Sequence, residues 1–448
     1  MKSLLQRLLP SVFGSTSTPE QRPQAKPIPQ APKVTGVVAP AHGAPLQLIG
    51  ARRPLISAQG EIVGFEFRVA DNMARRLTRQ GNRAAASAHA RAVLGSASLV
   101  LRSGRIGLAR LPLICLAEAL NFETLDGLWI SVEGTSSEPA ESANPPALLQ
   151  LRARGAKVTW TTATPPGLAP DLFLLSQGDQ SMNTVLATLA SRPSTLQGLP
   201  TLVTDVREFE DLQLALQQGV DYVCGALSVS LPTRPSGQTL SAPPEVTRIG
   251  QLLNLLVKGA DNAALVSQIK SDVGLSVRLL QRINTASFAH LEINGSIEQA
   301  VAMLGRSELY RWLSMLLFQF AGKSRSASAA QEVTLWRARF LELLGQATHD
   351  DAPSQLFTLG LASMIGPMLG ISQHDVLQLL ALPEAARHAL QQSGPWWPYL
   401  ELAQHIEAQN PSDQHPLAGQ LGGMDRVLAL SDQAWDWAWA TTHSAPSA

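Results

Sequence analysis

Two cysteines in 448 residues, three tyrosines and no net charge mark what this sequence has little of. Cys115 and Cys224 both lie inside apolar runs, so they read as two buried thiols in a reducing cytoplasm rather than as a disulfide framework. Lys+Arg and Asp+Glu each total 35, which leaves no global field to attract nucleic acid or an anionic membrane. No nucleic-acid partner is expected. Long apolar runs are missing too: the richest, residues 312–320, falls well short of the roughly 20 residues a spanning helix needs. Gln6, Arg7 and Pro10 interrupt the N-terminal run before it could serve as an export core. The expectation is a cytoplasmic protein with no membrane span.

What is present is apolar material for more than one core, since 45% of the chain is hydrophobic and its length exceeds one ordinary domain. Residues 1–45 carry Pro, Ser, Thr, Gln and Ala with few large apolar side chains, and are expected to be a flexible Pro-rich leader. The stretch LPTRPSGQTLSAPP at 231–244 holds four prolines and a glycine, and marks a linker. The expected organisation is therefore a leader over 1–45, a first domain over 46–230, the linker, a second domain over 245–440 and a tail over 441–448.

Within the first domain, strand patterns fall at 46–49, 62–69, 107–111, 128–132, 157–160, 172–175, 201–203 and 222–224, with helical patterns between many of them, notably 84–101 and 182–191. Repeated alternation of this kind implies a mainly parallel sheet, and at this length a closed β/α barrel. After Pro244 the strand signal stops. Leu309, Trp312, Leu313, Leu316 and Leu317 follow the spacing of one helical face, and similar patterns cover 249–257, 262–270, 275–285, 333–348, 354–369 and 375–381. Ser296 and Gln299 form a capping box, and Gly305 closes the helix that follows. Asp375 is a candidate cap for the helix after it.

Pro54-Leu55-Ile56, Gly60 and Val63-Gly64-Phe65-Glu66 are similar to the opening hairpin of an EAL phosphodiesterase domain, and Pro170-Asp171-Leu172-Phe173 and the βαβ unit at 201–227 continue the likeness. The resemblance implies a (β/α)8 TIM-type barrel. Active family members hold divalent cations with oxygen ligands at the ends of barrel strands, because a metal-bound water must attack phosphorus. Position by position, this sequence lacks them. Glu66 stands at the motif Glu, but Phe67 and Arg68 follow it. Residues 107–111 read Gly-Leu-Ala-Arg-Leu and offer no amide or carboxylate. Glu133 is one retained acid; Thr161 and Thr162 stand where the family has paired aspartates; Leu174 replaces a Lys, Thr204 a Glu and Cys224 a Gln. The barrel is degenerate by this reading, with no catalytic residue and no metal. Glu66 is left with two readings, a residual metal ligand or a strand-end acid in a surface ion pair. Arg75, Arg76 and Arg79 are candidate phosphate contacts, or a solvated helix face.

The second domain resembles an HDOD domain, the all-helical and non-catalytic relative of HD phosphohydrolases. Leu252-Leu253-Asn254-Leu255-Leu256, Leu279-Leu280-Gln281-Arg282-Ile283-Asn284 and Ser296-Ile297-Glu298-Gln299-Ala300-Val301 carry the likeness. His349-Asp350 and His374-Asp375 are the His-Asp dipeptides present, and both read as structural. Trp396-Trp397-Pro398-Tyr399 reads as packing.

Together the two resemblances imply a bacterial EAL-HDOD signalling protein that is not an enzyme. It would act by binding other signalling proteins, in a pathway linked to cyclic di-GMP and to motility, pili or biofilm. A receptor that binds cyclic di-GMP without hydrolysing it is the alternative, and an active phosphodiesterase a third reading. No cofactor is expected. Oligomeric state and partner identity do not follow from the sequence.

Overall fold

The computed structural model describes residues 52–68, 71–133, 145–160, 168–228, 244–283, 296–319, 327–369, 373–380, 382–408 and 414–443. The expected leader, the strand at 46–49, Thr161, Thr162, Asn284 and residues 231–243 of the linker lie outside these. The first half runs β1 (Arg53–Ser57), β2 (Ile62–Arg68), α1 (Asp71–Gln80), α2 (Arg83–Arg102), β3 (Ile106–Pro112), α3 (Leu116–Ala119), β4 (Trp129–Glu133), α4 (Pro145–Ala153), β5 (Lys157–Trp160), β6 (Phe173–Ser176), α5 (Met182–Ala190), β7 (Thr201–Glu208), α6 (Phe209–Gln217) and β8 (Tyr222–Ser228).

All eight strands join one sheet in the order β5-β4-β3-β2-β1-β8-β7-β6. β1 is antiparallel to both β2 and β8, and the other pairings are parallel. The sheet is thus a nearly closed barrel that begins with a hairpin, as the resemblance implied. Alternation along each strand sorts side chains to two faces. Inward-facing Leu55, Leu108, Trp129, Leu172, Leu202 and Cys224 form an apolar plug inside the barrel. Outward-facing Phe65, Ala109, Ile130, Val158, Val203 and Val223 join a second core beneath the helices.

The helix pattern at 84–101 appears as α2, which buries Ala90, Val93, Leu94 and Ala97. Gly107 on β3 permits this close approach, because a Cβ there would stand 2.2 Å from the Ala97 carbonyl oxygen. Among the described residues α2 is the one helix long and apolar enough to cross a membrane. Its buried face is instead used against the barrel.

The second half is helical throughout its described residues: α7 (Pro244–Val257), α8 (Asn262–Lys270), α9 (Val273–Ile283), α10 (Ile297–Gln319), α11 (Ala327–Ala347), α12 (Pro353–Leu369), α13 (Gln373–Leu379), α14 (Glu384–Leu390), α15 (Trp397–Glu407), α16 (Pro416–Gln420) and α17 (Met424–His443). α10 is two helices joined across Gly305, whose φ of 69° and ψ of 170° break the helical backbone at the position the sequence marked as a stop. Ser296 Oγ accepts from the Gln299 amide at 3.2 Å, one arm of the expected capping box. Asp375 lies inside the first turn of α13 rather than ahead of it. α17 carries helical structure to His443, past the point at which a tail was expected to begin.

Gln47–Ala448 is one compact unit, and a single hydrophobic core runs from the outer face of the barrel into the helical half. Phe65 of β2 meets Trp435 of α17 edge-on at 5.0 Å, Trp435 stacks on Trp336 of α11 at 5.1 Å, and Trp336 stacks on Phe340 at 5.4 Å. The Ala329 amide donates to the Gly60 carbonyl in the β1-β2 turn. Arg105, just before β3, packs its guanidinium over Phe65 and over Trp439, and pairs with buried Glu332 of α11 at 3.1 Å.

Candidate functional site

Above the apolar plug, toward the C-terminal ends of the parallel strands, the barrel interior turns charged. This is the end at which β/α barrels ordinarily place their chemistry. Glu66 on β2 lies beside Arg53 on β1, its direct cross-strand neighbour. Arg110 points inward from β3 one pleat beyond Leu108, Glu133 ends β4, Ser176 ends β6 and Cys224 lies on β8. Asp205 reaches the same space from β7.

Arg110 is the centre. Its Nη1 donates to Glu66 Oε1 at 2.7 Å and to both Asp205 oxygens at 3.1 Å, its Nη2 donates to Asp205 Oδ2 at 3.1 Å, and its Nε donates to Glu133 Oε1 at 2.7 Å. Nη2 also meets Glu133 Oε1. The side chain is only 4% exposed. Arg53 Nη1 bridges Glu66 Oε2 at 3.1 Å and Asp205 Oδ1 at 3.0 Å, and Arg68 Nη1 donates to Asp205 Oδ1 at 3.1 Å. Ser176 Oγ and Thr204 Oγ1 donate to Asp205 Oδ2, and the Cys224 thiol donates to Glu66 Oε2. Three carboxylates therefore face three guanidiniums.

The electrostatics follow from that pairing. Burial alone would raise the Glu66 pKa, but Arg110 and Arg53 outweigh it and hold the carboxyl below its ordinary value. Asp205 is held well below the carboxylate range, again against burial, by Arg110, Arg53 and Arg68. Burial would lower the Arg110 pKa, and Glu133, Glu66 and Asp205 reverse this and raise it well above the usual value. Burial, with Glu66 beside it, pushes the Cys224 thiol well up, so it stays protonated and donates.

The divalent ions implied by the EAL resemblance do not fit this arrangement. Hard cations need free carboxylate oxygens, and here Glu66 Oε1, Glu133 Oε1 and both Asp205 oxygens already accept from Arg110, while Glu66 Oε2 accepts from Arg53. Glu66 is neither of the things the sequence suggested. It is fully buried rather than in a surface pair, and its oxygens are taken by Arg53, Arg110 and Cys224.

Arg75, Arg76 and Arg79 lie exposed on α1, and none is a partner of Glu66, Arg110 or Asp205. Thr204 is buried on β7, and Leu174 packs against the apolar plug. Both cysteines are free and buried, as expected. Of the His-Asp pairs, His349 and His374 are exposed. Asp350 accepts from the Ala352 amide and from Trp396 Nε1, a structural role that also ties down the aromatic segment.

The residues that sequence reasoning missed are Arg53, Arg110 and Asp205. The signal for Arg110 was present, a charged residue amid the apolar strand Gly107-Leu108-Ala109-Arg110-Leu111. Asp205 was hidden by a β-bulge. Val203 pairs with Val223 and Val206 with Gly225, so Thr204 and Asp205 together oppose the single residue Cys224. Asp205 takes a φ of 60°, the left-handed region an Asp tolerates better than most residues. The extra residue lets two successive positions serve the interior.

Residues 241–392 match the family model of the HDOD domain. The uncharacterized protein YuxH of Bacillus subtilis (strain 168) is 28% identical over 242 residues, which are 53% of this chain and 57% of that protein. Cyclic di-GMP phosphodiesterase CdgJ of Vibrio cholerae serotype O1 is 28% identical over 141 residues, 31% of this chain and 32% of that protein. The chain thus spans little more than half the length of the first relative and a third of the second. Two solved structures are more distant. An EAL domain protein from Listeria monocytogenes EGD-e has 14% identity and a TM-score of 0.29, over 41% of this chain and 87% of that one. Bacillus subtilis YkuI, an EAL-domain protein solved with cyclic di-GMP and calcium, has 15% identity and a TM-score of 0.26, over 48% and 69%. Superpositions that loose add nothing to the strand order and register already described.

The fold is that of a two-part protein, a β/α barrel opened by a hairpin and followed by a helical half. The helical half contains an HDOD domain, and the barrel before it opens with the hairpin that the EAL resemblance implied.

Proposed function

We propose that this chain is a non-catalytic regulatory protein of a cyclic di-GMP-linked pathway in the cytoplasm, acting through contacts that its barrel and HDOD half make with other signalling proteins. One observation carries the reading: Arg110 occupies the space among Glu66, Glu133 and Asp205 that a hydrolytic barrel would need for metal. A guanidinium cannot bind water and lower its pKa as a divalent ion does, so no nucleophile is generated there. The relationship to CdgJ, itself named as a cyclic di-GMP phosphodiesterase, supports the choice of pathway.

The test is turnover and binding on the same preparation. Full-length protein incubated with cyclic di-GMP and Mg²⁺ or Mn²⁺ is expected to release no linear dinucleotide above a no-enzyme control. Metal-dependent release would overturn the reading. Calorimetric titration with cyclic di-GMP separates an adaptor from a receptor: heat at micromolar ligand would replace the adaptor with a nucleotide-binding receptor, for which exposed Arg75, Arg76 and Arg79 are the first residues to substitute.

A further inference from the structure

A cavity of about 230 Å³ opens among the HDOD helices, lined by no residue of the barrel. We infer that it binds a small organic phosphate, with Arg306 and the first turns of two helices holding the phosphoryl group and an apolar wall holding the organic body. The site lies wholly within residues 241–392 and does not depend on whether the barrel turns over a substrate.

Charge decides the class of ligand. Two guanidiniums line the cavity, those of Arg306 and Arg311, and among the described residues no acidic side chain does. Arg311 is already neutralised: it pairs with buried Glu342, lies 3.7 Å from Glu308 and sits over the Phe357 ring. Arg306 is not. Its Nη1 donates to the Ala260 carbonyl at 2.7 Å and its Nη2 to the Leu256 carbonyl at 2.8 Å, so the end of α7 fixes the guanidinium in place without supplying a counter-charge. Among the described residues no carboxylate meets it. Each Nη keeps a second N–H, and Nε its own, for another acceptor.

The backbone adds donors of the same kind. Gly305 breaks α10, so a new helix starts at Arg306 and runs to Gln319, and Ser307 in its first turn lines the cavity. Ser354 lines it from the first turn of α12, followed one turn on by buried Thr358. First-turn amides have no acceptor within their own helix and carry the positive end of its dipole. Two such ends on one cavity favour an anion. Donors that come from two helices are met more fully by a phosphoryl group, with three terminal oxygens, than by a planar carboxylate with two. Leu256, Val257, Pro383 and Tyr310 supply the apolar remainder, and Val257 is left 43% exposed at its edge. At about 230 Å³ the cavity falls below the roughly 300–1,000 Å³ of pockets for drug-sized ligands, which leaves room for a phosphate on a body the size of one ring and not for a whole cyclic dinucleotide.

The experiment titrates the full chain calorimetrically with phenyl phosphate, and in parallel with inorganic phosphate and with benzoate, as wild type, Ser354→Asp and Arg306→Gln. Wild type is expected to bind one phenyl phosphate, more weakly as salt rises, and to hold each control about tenfold less tightly. Ser354 is exposed, and an acid in the first turn of α12 favours the helix. Ser354→Asp is therefore expected to melt no lower than wild type, while like-charge repulsion weakens phenyl phosphate about tenfold or more. Arg306→Gln is expected to weaken it by a similar factor and, having lost bonds to the end of α7, to melt lower. The absence of saturable heat with phenyl phosphate overturns the inference. So does binding that Ser354→Asp leaves unchanged, which puts the ligand elsewhere, and so does inorganic phosphate or benzoate bound as tightly as phenyl phosphate. None of these results bears on turnover by the barrel, which is read with cyclic di-GMP.

Discussion

Phe65 and Glu66 are adjacent on β2 and face opposite ways: Glu66 is fully buried inside the barrel against Arg53 and Arg110, and Phe65 is fully buried outside it against Trp435 of α17. One strand therefore ties the charged mouth to the helical half. A shift of β2 that disturbed one face would disturb the other, because a strand carries its two faces on a single backbone. The aromatic stack from Phe65 through Trp435 and Trp336 to Phe340 continues that link into the helices.

Glu66→Gln keeps the shape of the side chain and removes its charge, leaving Arg53 and Arg110 buried with too little anion. Breaking a buried pair in this way costs about 3–5 kcal/mol, and urea unfolding at pH 7 is expected to show a loss of that order. The wild type has a matching acid limb. The folded-state pKa values of Glu66 and Asp205 are depressed, so their contribution is complete above the unfolded value of roughly 4 and is lost as pH falls through the lower folded values. A loss below about 1 kcal/mol, the range of solvent-screened pairs, would mean that water reaches the cluster.

Glu332 gives the opposite sign. Burial pushes its carboxyl up to about 7, and Arg105, itself lowered by burial, only partly offsets this. A raised carboxylate favours the folded state most fully below its unfolded pKa, and that advantage is lost as pH rises through the folded value. Stability is therefore expected to decline between about pH 4.5 and 7 from this group, by up to roughly 3 kcal/mol. Glu332→Gln should flatten that segment of the stability-pH curve; an unchanged slope would assign it to another group.

Trp435→Ala removes the ring that lies between Phe65 and Trp336. Truncating a buried Trp costs about 3–5 kcal/mol, and here the loss falls on both halves of the chain. Far-ultraviolet circular dichroism and tryptophan fluorescence are expected to report one coincident transition, shifted to lower urea, in variant and wild type alike. A barrel that keeps its midpoint while the helices lose theirs would show that the shared core does not couple them.

Much of the fold was legible because it rests on periodicity. The helix patterns at 84–101 and 182–191 correspond to α2 and α5 within a residue or two, and Gly305 interrupts α10 where a stop was expected. The site was legible only as a set of losses. Glu66 stands in a recognisable motif, while Arg110 belongs to a strand whose sequence offers no metal ligand and carries no motif of its own. Its partners are 23, 44 and 95 residues away in sequence, a separation at which no local pattern pairs a cation with its acids.

The sequence by itself marked β2 to β8 and many of the helices, and showed that a barrel precedes a helical half and that the two thiols are buried, each from local spacing and composition; β1 at Arg53–Ser57 was indicated only by the hairpin resemblance. Tertiary structure alone decided where the charges go. Closing the sheet put Glu66, Arg110 and Glu133 around one interior, and the bulge at Thr204 and Asp205 reversed the alternation that a straight strand would have imposed. In a low-dielectric space an acid's partner matters more than its identity, and the partner of Glu66 is fixed by the way distant strands meet.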